Sequence, residues 1–287
     1  MRQSDACKTL AGVLLIGQTR TATFPDHQPM PDSPRRARLQ FNEWPAAVYA
    51  IGDVHGCLDQ LLALEARIVA DAAGIAGEKW IVTLGDYIDR GPASGAVLDH
   101  IASPPPADFR RFALIGNHEQ LLLDFLVNPP RHTEWLQWGG RETAESYGMP
   151  PDPEMRWRRA PRGYAEALLP LIPERHLTLL KNLPVCLSLP GFFFVHAGIR
   201  PGVPLDRQEE DDLIWIRAPF LKASPRANLT VVHGHTPVDA PEFAPGRVDI
   251  DTGCFYSGVL TALRVRPDGD LKILQAKGAP TTYRPAL

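Results

Sequence analysis

Six short blocks of turn and metal-ligand residues punctuate the chain: Gly52-Asp53-Val54-His55-Gly56, Gly85-Asp86-Tyr87-Ile88-Asp89-Arg90-Gly91, Gly116-Asn117-His118-Glu119, His196-Ala197-Gly198, His233-Gly234-His235-Thr236 and Asp251-Thr252-Gly253. Each sets one or two oxygen or imidazole groups beside a glycine, which lets the backbone turn tightly and approach a bound ion or phosphate. Short apolar runs rich in β-branched or aromatic side chains precede them, at residues 47–51, 79–84, 109–115, 192–195, 229–232 and 248–250. Such runs read as buried strands, so the polar groups gather at strand ends.

Helical patterns follow the first three blocks, at 58–73 with Leu61, Leu62, Leu64 and Ile68 on one side, at 93–101 and at 119–126. This alternation predicts an α/β fold with its site outside the carboxyl ends of the strands. Residues 127–190 carry two more helical stretches, 133–147 and 163–180, divided by Pro150, Pro151 and Pro153, and read as a helical cap insert. Trp135 and Trp138 within it, three residues apart, read as packing residues before substrate contacts. After the last block, 258–265 and 271–275 flank the hairpin signal Asp268-Gly269 and are expected as edge strands of a second sheet.

With 287 residues and 44% hydrophobic content the chain can bury a large core. Residues 1–44, proline-rich and polar with the basic run Arg35-Arg36-Ala37-Arg38, are expected to be a disordered extension, leaving 45–287 as one domain. The apolar run at 10–17 is too short to span a membrane and reads as part of that extension before a signal peptide. A net charge of −3 gives no global attraction to nucleic acid or an anionic membrane, so any phosphate affinity is local. Cys7, Cys57, Cys186 and Cys254 are too scattered for a zinc knuckle or a disulfide framework, and a reducing cytoplasm is the expected location.

Asp and His ligands without Cys suit manganese, iron or zinc, and a carboxylate can bridge two ions where an imidazole cannot. Asp86 is the candidate bridge. Two such ions would share a water, lower its pKa and clamp phosphoryl oxygens. Taken singly, Asp53 and His55 could be turn and capping groups and His196 an ordinary polar residue at a strand end. Recurrence in six strand-end blocks points instead to one shared site.

In their order and spacing the blocks resemble those of the phosphoprotein phosphatase superfamily of metallophosphoesterases, from Gly52 to Gly253. Glu134-Trp135-Leu136 before Gly139-Gly140, Ile214-Trp215-Ile216-Arg217 and Gly258-Val259-Leu260-Thr261 make the chain most similar to the bacterial branch typified by the bacteriophage lambda serine/threonine protein phosphatase. The resemblance implies a two-sheet β-sandwich flanked by helices and two divalent ions, with Mn²⁺ expected and Fe or Zn as alternatives. It implies Asp53, His55 and Asp86 on the first ion, and Asp86, Asn117, His196 and His235 on the second, with His233 a neighbour. It makes His118, hydrogen-bonded to Asp89, a charged imidazolium and general acid, and gives Arg90 and Arg217 the phosphate.

One position departs from that pattern. Ile115 stands where the protein phosphatases carry an arginine before the Gly-Asn-His-Glu block, which leaves Arg141 or Arg200 as a substitute. Related diadenosine tetraphosphate hydrolases also have an apolar residue there, whereas Glu119 resembles the protein phosphatases. The main expectation is hydrolysis of phosphoserine or phosphothreonine monoesters. The alternatives are a symmetrical dinucleoside polyphosphate hydrolase and a non-catalytic phosphate-binding module. The expected partner is a phosphoprotein or a phosphorylated small molecule, with no membrane or nucleic acid, and the oligomeric state stays open.

Overall fold

A computed structural model describes residues 35–152 and 154–283; the expectations placed on 1–34 lie outside them. Two mixed sheets form the centre. One has strand order β11-β10-β2-β3-β4, built from β2 (Ala47–Ile51), β3 (Lys79–Thr83), β4 (Phe109–Ala113), β10 (Val259–Val265) and β11 (Leu271–Lys277). The other has order β1-β5-β6-β7-β9-β8, built from β1 (Arg38–Gln40), β5 (Cys186–Leu189), β6 (Phe192–Val195), β7 (Thr230–His233), β8 (Glu242–Ala244) and β9 (Arg247–Asp249).

Both faces of the central strands are covered, which is why a run such as Ala47–Ile51 is apolar throughout instead of alternating. Val48, Ala50, Val82 and Leu114 meet Leu187, Phe194, Val232 and Val248 in the layer between the sheets. The opposite face of β2, with Ala47, Tyr49 and Ile51, belongs to a second cluster with Leu61, Leu64 and Ile68 of α1 (Leu58–Ala72). Leu62 departs from the expected face: it is 45% exposed, because one helical step turns it about 100° away from Leu61. Helices α2 (Ser94–Ala102) and α3 (Asn117–Val127) follow their strands as expected.

The insert is helical as predicted but broken into α4 (Arg141–Ser146), α5 (Pro161–Leu168) and α6 (Glu174–Asn182), with a kink before α4 where Gly139 has φ +116°. Proline accounts for the break between α5 and α6: Pro170 and Pro173 cannot supply the N–H that a continuous helix needs. The short helices α7 (Glu210–Trp215), α8 (Ala218–Leu221) and α9 (Cys254–Ser257) complete the fold. Within 127–190, β5 went unrecognised, its four residues being too short a signal beside helical neighbours.

Two boundaries are corrected. The ordered fold begins before residue 45, because β1 pairs in parallel with β5 and the basic run is used structurally. Arg36 donates to the carbonyls of Leu180 and Leu183 at 3.0 and 3.2 Å, satisfying acceptors at the end of α6, and Arg38 donates to Leu205 O at 3.1 Å. Second, β10 is not an edge strand. It pairs antiparallel with both β2 and β11, in the same sheet as the first three site-bearing strands, and of the two C-terminal strands β11 alone is at an edge. The hairpin turn at Asp268-Gly269 is present, with Gly269 at φ +84°. No helix among the described residues is long and apolar enough to cross a membrane.

Candidate active site

All six blocks converge at the ends of their strands, and tight backbone turns aim their side chains. His55, Asp86, Asp89, Arg90 and His235 have positive φ, between 46° and 72°, which costs non-glycine residues energy and persists only where surroundings impose it. Glycine is needed between two blocks: a Cβ on Gly56, itself at φ +64°, would stand 2.6 Å from Gly91 O. Glu119 fixes the second block. Its buried carboxylate accepts the backbone N–H groups of Asp86, Tyr87 and Gly116 at 2.8, 2.7 and 2.9 Å. The signal for this was in the sequence, a glutamate at the third position of a helix reaching back to its start.

The imidazoles present defined lone pairs. Nδ1 of His55 lies 2.7 Å from Ile88 O and Nδ1 of His196 lies 3.0 Å from Leu84 O, so each Nδ1 carries the proton and each Nε2 faces inward as an acceptor. Nε2 of His55 is 3.3 Å from Asp86 Oδ2, and Nε2 of His196 is 3.4 Å from Asp86 Oδ1 and 2.8 Å from Asn117 Oδ1. His235 Nδ1 is 2.9 Å from the same Asn117 oxygen. The Nε2 contacts of His55 and His196 with Asp86 and Asn117 set lone pairs against lone pairs, which in a buried site is favourable only around cations, and donors that share one ion about 2.1 Å away stand roughly 3 Å apart. The residues present therefore fit two divalent ions. Two groups could hold them, His55-Asp86-His118 and Asp86-His196-His235, with Asp86 common to both.

The electrostatics point the same way. Burial, together with the nearby charges of Asp251 and Asp86, raises Asp53 well above the usual carboxylate range. Burial likewise raises Asp251, whose Oδ1 accepts the Gly253 N–H at 2.9 Å. Burial also disfavours charge on Asp86, yet the imidazoles of His196, His118 and His55 hold it well below the usual range. Such a knot of buried carboxylates calls for positive charge.

Two arginines supply some. The Arg90 guanidinium reaches His55 Nε2 at 2.7 Å and His118 Nε2 at 2.8 Å and lies 4.8 Å above the Phe255 ring. Arg217 donates to His235 Nε2 at 3.0 Å and to His235 O at 3.2 Å. Its burial lowers its pKa, with Arg90 adding repulsion, as expected of two cations converging on one anion site.

His118 and Asp89 form the expected pair, Nδ1 to Oδ2 at 2.6 Å. Trp135 Nε1 donates to both Asp89 oxygens at 3.0 and 3.1 Å, and Thr143 Oγ1 donates to Oδ1 at 2.6 Å. Trp135 is thus buried as expected, with its ring against Phe125, and it also orients Asp89. Sequence reasoning missed Thr143, for which no local pattern exists. Burial lowers the His118 pKa and raises that of Asp89, while their 2.6 Å contact holds the imidazole in one orientation.

The remaining residues singled out in the sequence take up these positions. The Asp53 carboxylate accepts the His235 N–H at 3.2 Å and belongs to neither candidate ligand group, whereas His118 belongs to one. His233 points away, its Nδ1 3.6 Å from Asp249 Oδ2 and its ring against Phe220, and burial lowers its pKa to about 3. Arg200 cannot replace an arginine at Ile115, being bound through two nitrogens to Asp212.

The pattern that defines the calcineurin-like phosphoesterases matches residues 46–271. The chain belongs to this family. It is accordingly a metal-dependent phosphoester hydrolase. Among sequence relatives, the asymmetrical bis(5'-nucleosyl)-tetraphosphatase PrpE of Geobacillus thermodenitrificans is 28% identical over 240 residues, covering 75% of this chain and 88% of the relative. The symmetrical bis(5'-nucleosyl)-tetraphosphatase of Dechloromonas aromatica is 26% identical, covering 83% and 99%. The phosphoesterase also shares its fold with a candidate diadenosine tetraphosphatase (TM-score 0.57, 20% identity, 84% and 99% covered) and with a protein serine/threonine phosphatase of Saccharomyces cerevisiae (TM-score 0.53, 16% identity, 86% and 85% covered). Likeness to the lambda-type protein phosphatase in particular does not emerge from these relatives.

Proposed function

We propose that this phosphoesterase hydrolyses dinucleoside polyphosphates, with attack of water on one phosphorus of the polyphosphate chain. The observation that carries the reading is that relatives covering three quarters or more of the chain include bis(5'-nucleosyl)-tetraphosphatases of both cleavage types. Ile115 supports it. The side chain is fully buried and its N–H donates to Pro184 O at 2.9 Å, so core packing occupies the position where a protein phosphatase presents a guanidinium. Glu119, the residue that favoured a protein phosphatase, is engaged with backbone amides of Asp86, Tyr87 and Gly116. The phosphoserine and phosphothreonine reading of the sequence is therefore the weaker one.

Two divalent ions, when bound, supply charge neutralisation and an activated water. We assign the residues that would hold them as Asp53, His55, Asp86, Asn117, His196 and His235. Arg90 and Arg217 hold phosphoryl oxygens by forked donors. His118, steered by Asp89, gives its proton from Nε2 to the leaving oxygen. Mn²⁺ is the proposed metal. The test compares turnover of diadenosine tetraphosphate, a phosphoserine peptide and p-nitrophenyl phosphate by Mn²⁺-loaded enzyme. A kcat/KM at least 10²-fold higher for the dinucleotide supports the reading; preference for the phosphopeptide overturns it.

A further inference from the structure

Beside Arg90 opens a cleft of about 510 Å³, between α4 and the segment that follows β11. Arg90, Glu142, Glu145, Ser146, Thr282 and Tyr283 line it. The far wall is anchored: the Thr281 N–H donates to Phe255 O at 2.7 Å, the Tyr283 hydroxyl donates to Gln137 O at 3.3 Å, and the Tyr283 and Phe255 rings meet at 5.8 Å. Because Phe255 also lies under Arg90, the wall of the cleft and the phosphate-binding guanidinium share one support.

The cleft carries both signs of charge: the Arg90 cation, and the carboxylates of Glu142 and Glu145, three residues apart and so neighbours on one helix face. A ligand that fits has a phosphate for the guanidinium and neutral hydrogen-bond donors for the glutamates, since further phosphates meet like charge there. One Glu142 oxygen is buried and has no hydrogen-bond partner, a cost that a donor in the cleft removes by drawing round the soft terminal torsion. A ribose diol provides two such donors. The volume falls within the range of small-ligand sites, about 300 to 1,000 Å³.

We infer that this cleft holds the nucleoside of a nucleotide whose 5'-phosphate lies at Arg90, with the ribose hydroxyls donating to Glu142 and Glu145. The inference rests on the dinucleoside polyphosphate reading, but its test does not use that reaction. Inhibition of p-nitrophenyl phosphate hydrolysis by the Mn²⁺-loaded full chain is measured with adenosine 5'-monophosphate, its 2',3'-dideoxy analogue, inorganic phosphate and a phosphoserine peptide with an adjacent lysine. Adenosine monophosphate is expected to inhibit at least 10-fold more tightly than phosphate, and the dideoxy analogue to lose most of that advantage. In Glu142→Gln/Glu145→Gln the ratio of the two inhibition constants falls toward one. Equal inhibition by nucleotide and phosphate, an undiminished dideoxy analogue, or stronger inhibition by the basic phosphopeptide than by the nucleotide overturns the assignment. Ribose-dependent inhibition without diadenosine tetraphosphate turnover would refute the substrate and leave the cleft standing.

Discussion

His118 Nδ1 lies 2.6 Å from Asp89 Oδ2, and neither side chain is more than 2% exposed. With Nδ1 committed to the carboxylate, only Nε2 can exchange a proton with a substrate, and it is the atom that faces Arg90 and the site. The same imidazole also belongs to a candidate metal group, so its role as acid must be separated from a role as ligand.

Leaving-group dependence makes that separation. His118→Asn is expected to lower kcat roughly 10²- to 10⁴-fold for an alkyl phosphate ester and much less for p-nitrophenyl phosphate, whose phenolate departs with little help. Two ions per chain should remain by elemental analysis. Equal losses on both esters, or a missing ion, would make His118 a ligand.

Asp86 touches both candidate metal groups, which predicts that no single terminal ligand matches its loss. Chelated enzyme should be nearly inactive and recover with Mn²⁺. Asp86→Asn should lose at least about 10²-fold in rate, equivalent to several kcal/mol of transition-state stabilisation. Its metal content should fall below that of His55→Ala or His196→Ala. Full content and rate in Asp86→Asn would contradict the bridge.

A pH prediction follows from Glu65 in α1, which binds Arg111 at 2.6 Å and His100 at 2.8 Å. Burial disfavours its charge, but the hydrogen bonds from His100 and Arg111 win and hold its pKa below the ordinary glutamate value of 4.5. A carboxylate depressed on folding contributes stability above its unfolded pKa, and that stability is lost as pH falls through the folded one. Glu65→Gln should therefore destabilise the protein by about 2 to 3 kcal/mol at pH 7, partly by leaving Arg111 buried without its counter-charge. In urea titrations the gap from wild type should narrow below pH 4.5, and a gap that widens there would refute the linkage.

The residues that announced themselves in the sequence did so because chemistry and backbone coincide. Asp86 and His55 stand beside glycines at strand ends, and metal binding and a left-handed turn both select for such neighbourhoods. Trp135, Thr143 and Glu119 act on the site through contacts 3 to 54 residues away in sequence, and only Glu119 left a local trace, at the start of its helix. The fold was legible where strands are covered on both faces, since continuous apolar runs mark them. It failed at β1 and β5, three- and four-residue strands whose pairing depends on a non-local partner, and at β10, whose alternation cannot say which sheet will claim it.

Trp135 offers the sharpest test of support from beyond the reacting groups. Its indole N–H and the Thr143 hydroxyl are the side-chain donors that hold Asp89 from behind, while His118 approaches from the front. Trp135→Phe keeps most of the packing against Phe125 but leaves Asp89 one donor short in a fully buried position. Loss of that bond should cost about 1 to 3 kcal/mol of stability. Because the carboxylate then turns more freely, kcat for an alkyl ester should fall roughly 10-fold while p-nitrophenyl phosphate is scarcely affected, a milder copy of His118→Asn. Thr143→Val should act in the same direction. If Trp135→Phe instead lowers both rates equally, or changes metal content, the indole supports the fold of the site as a whole and not the orientation of its acid.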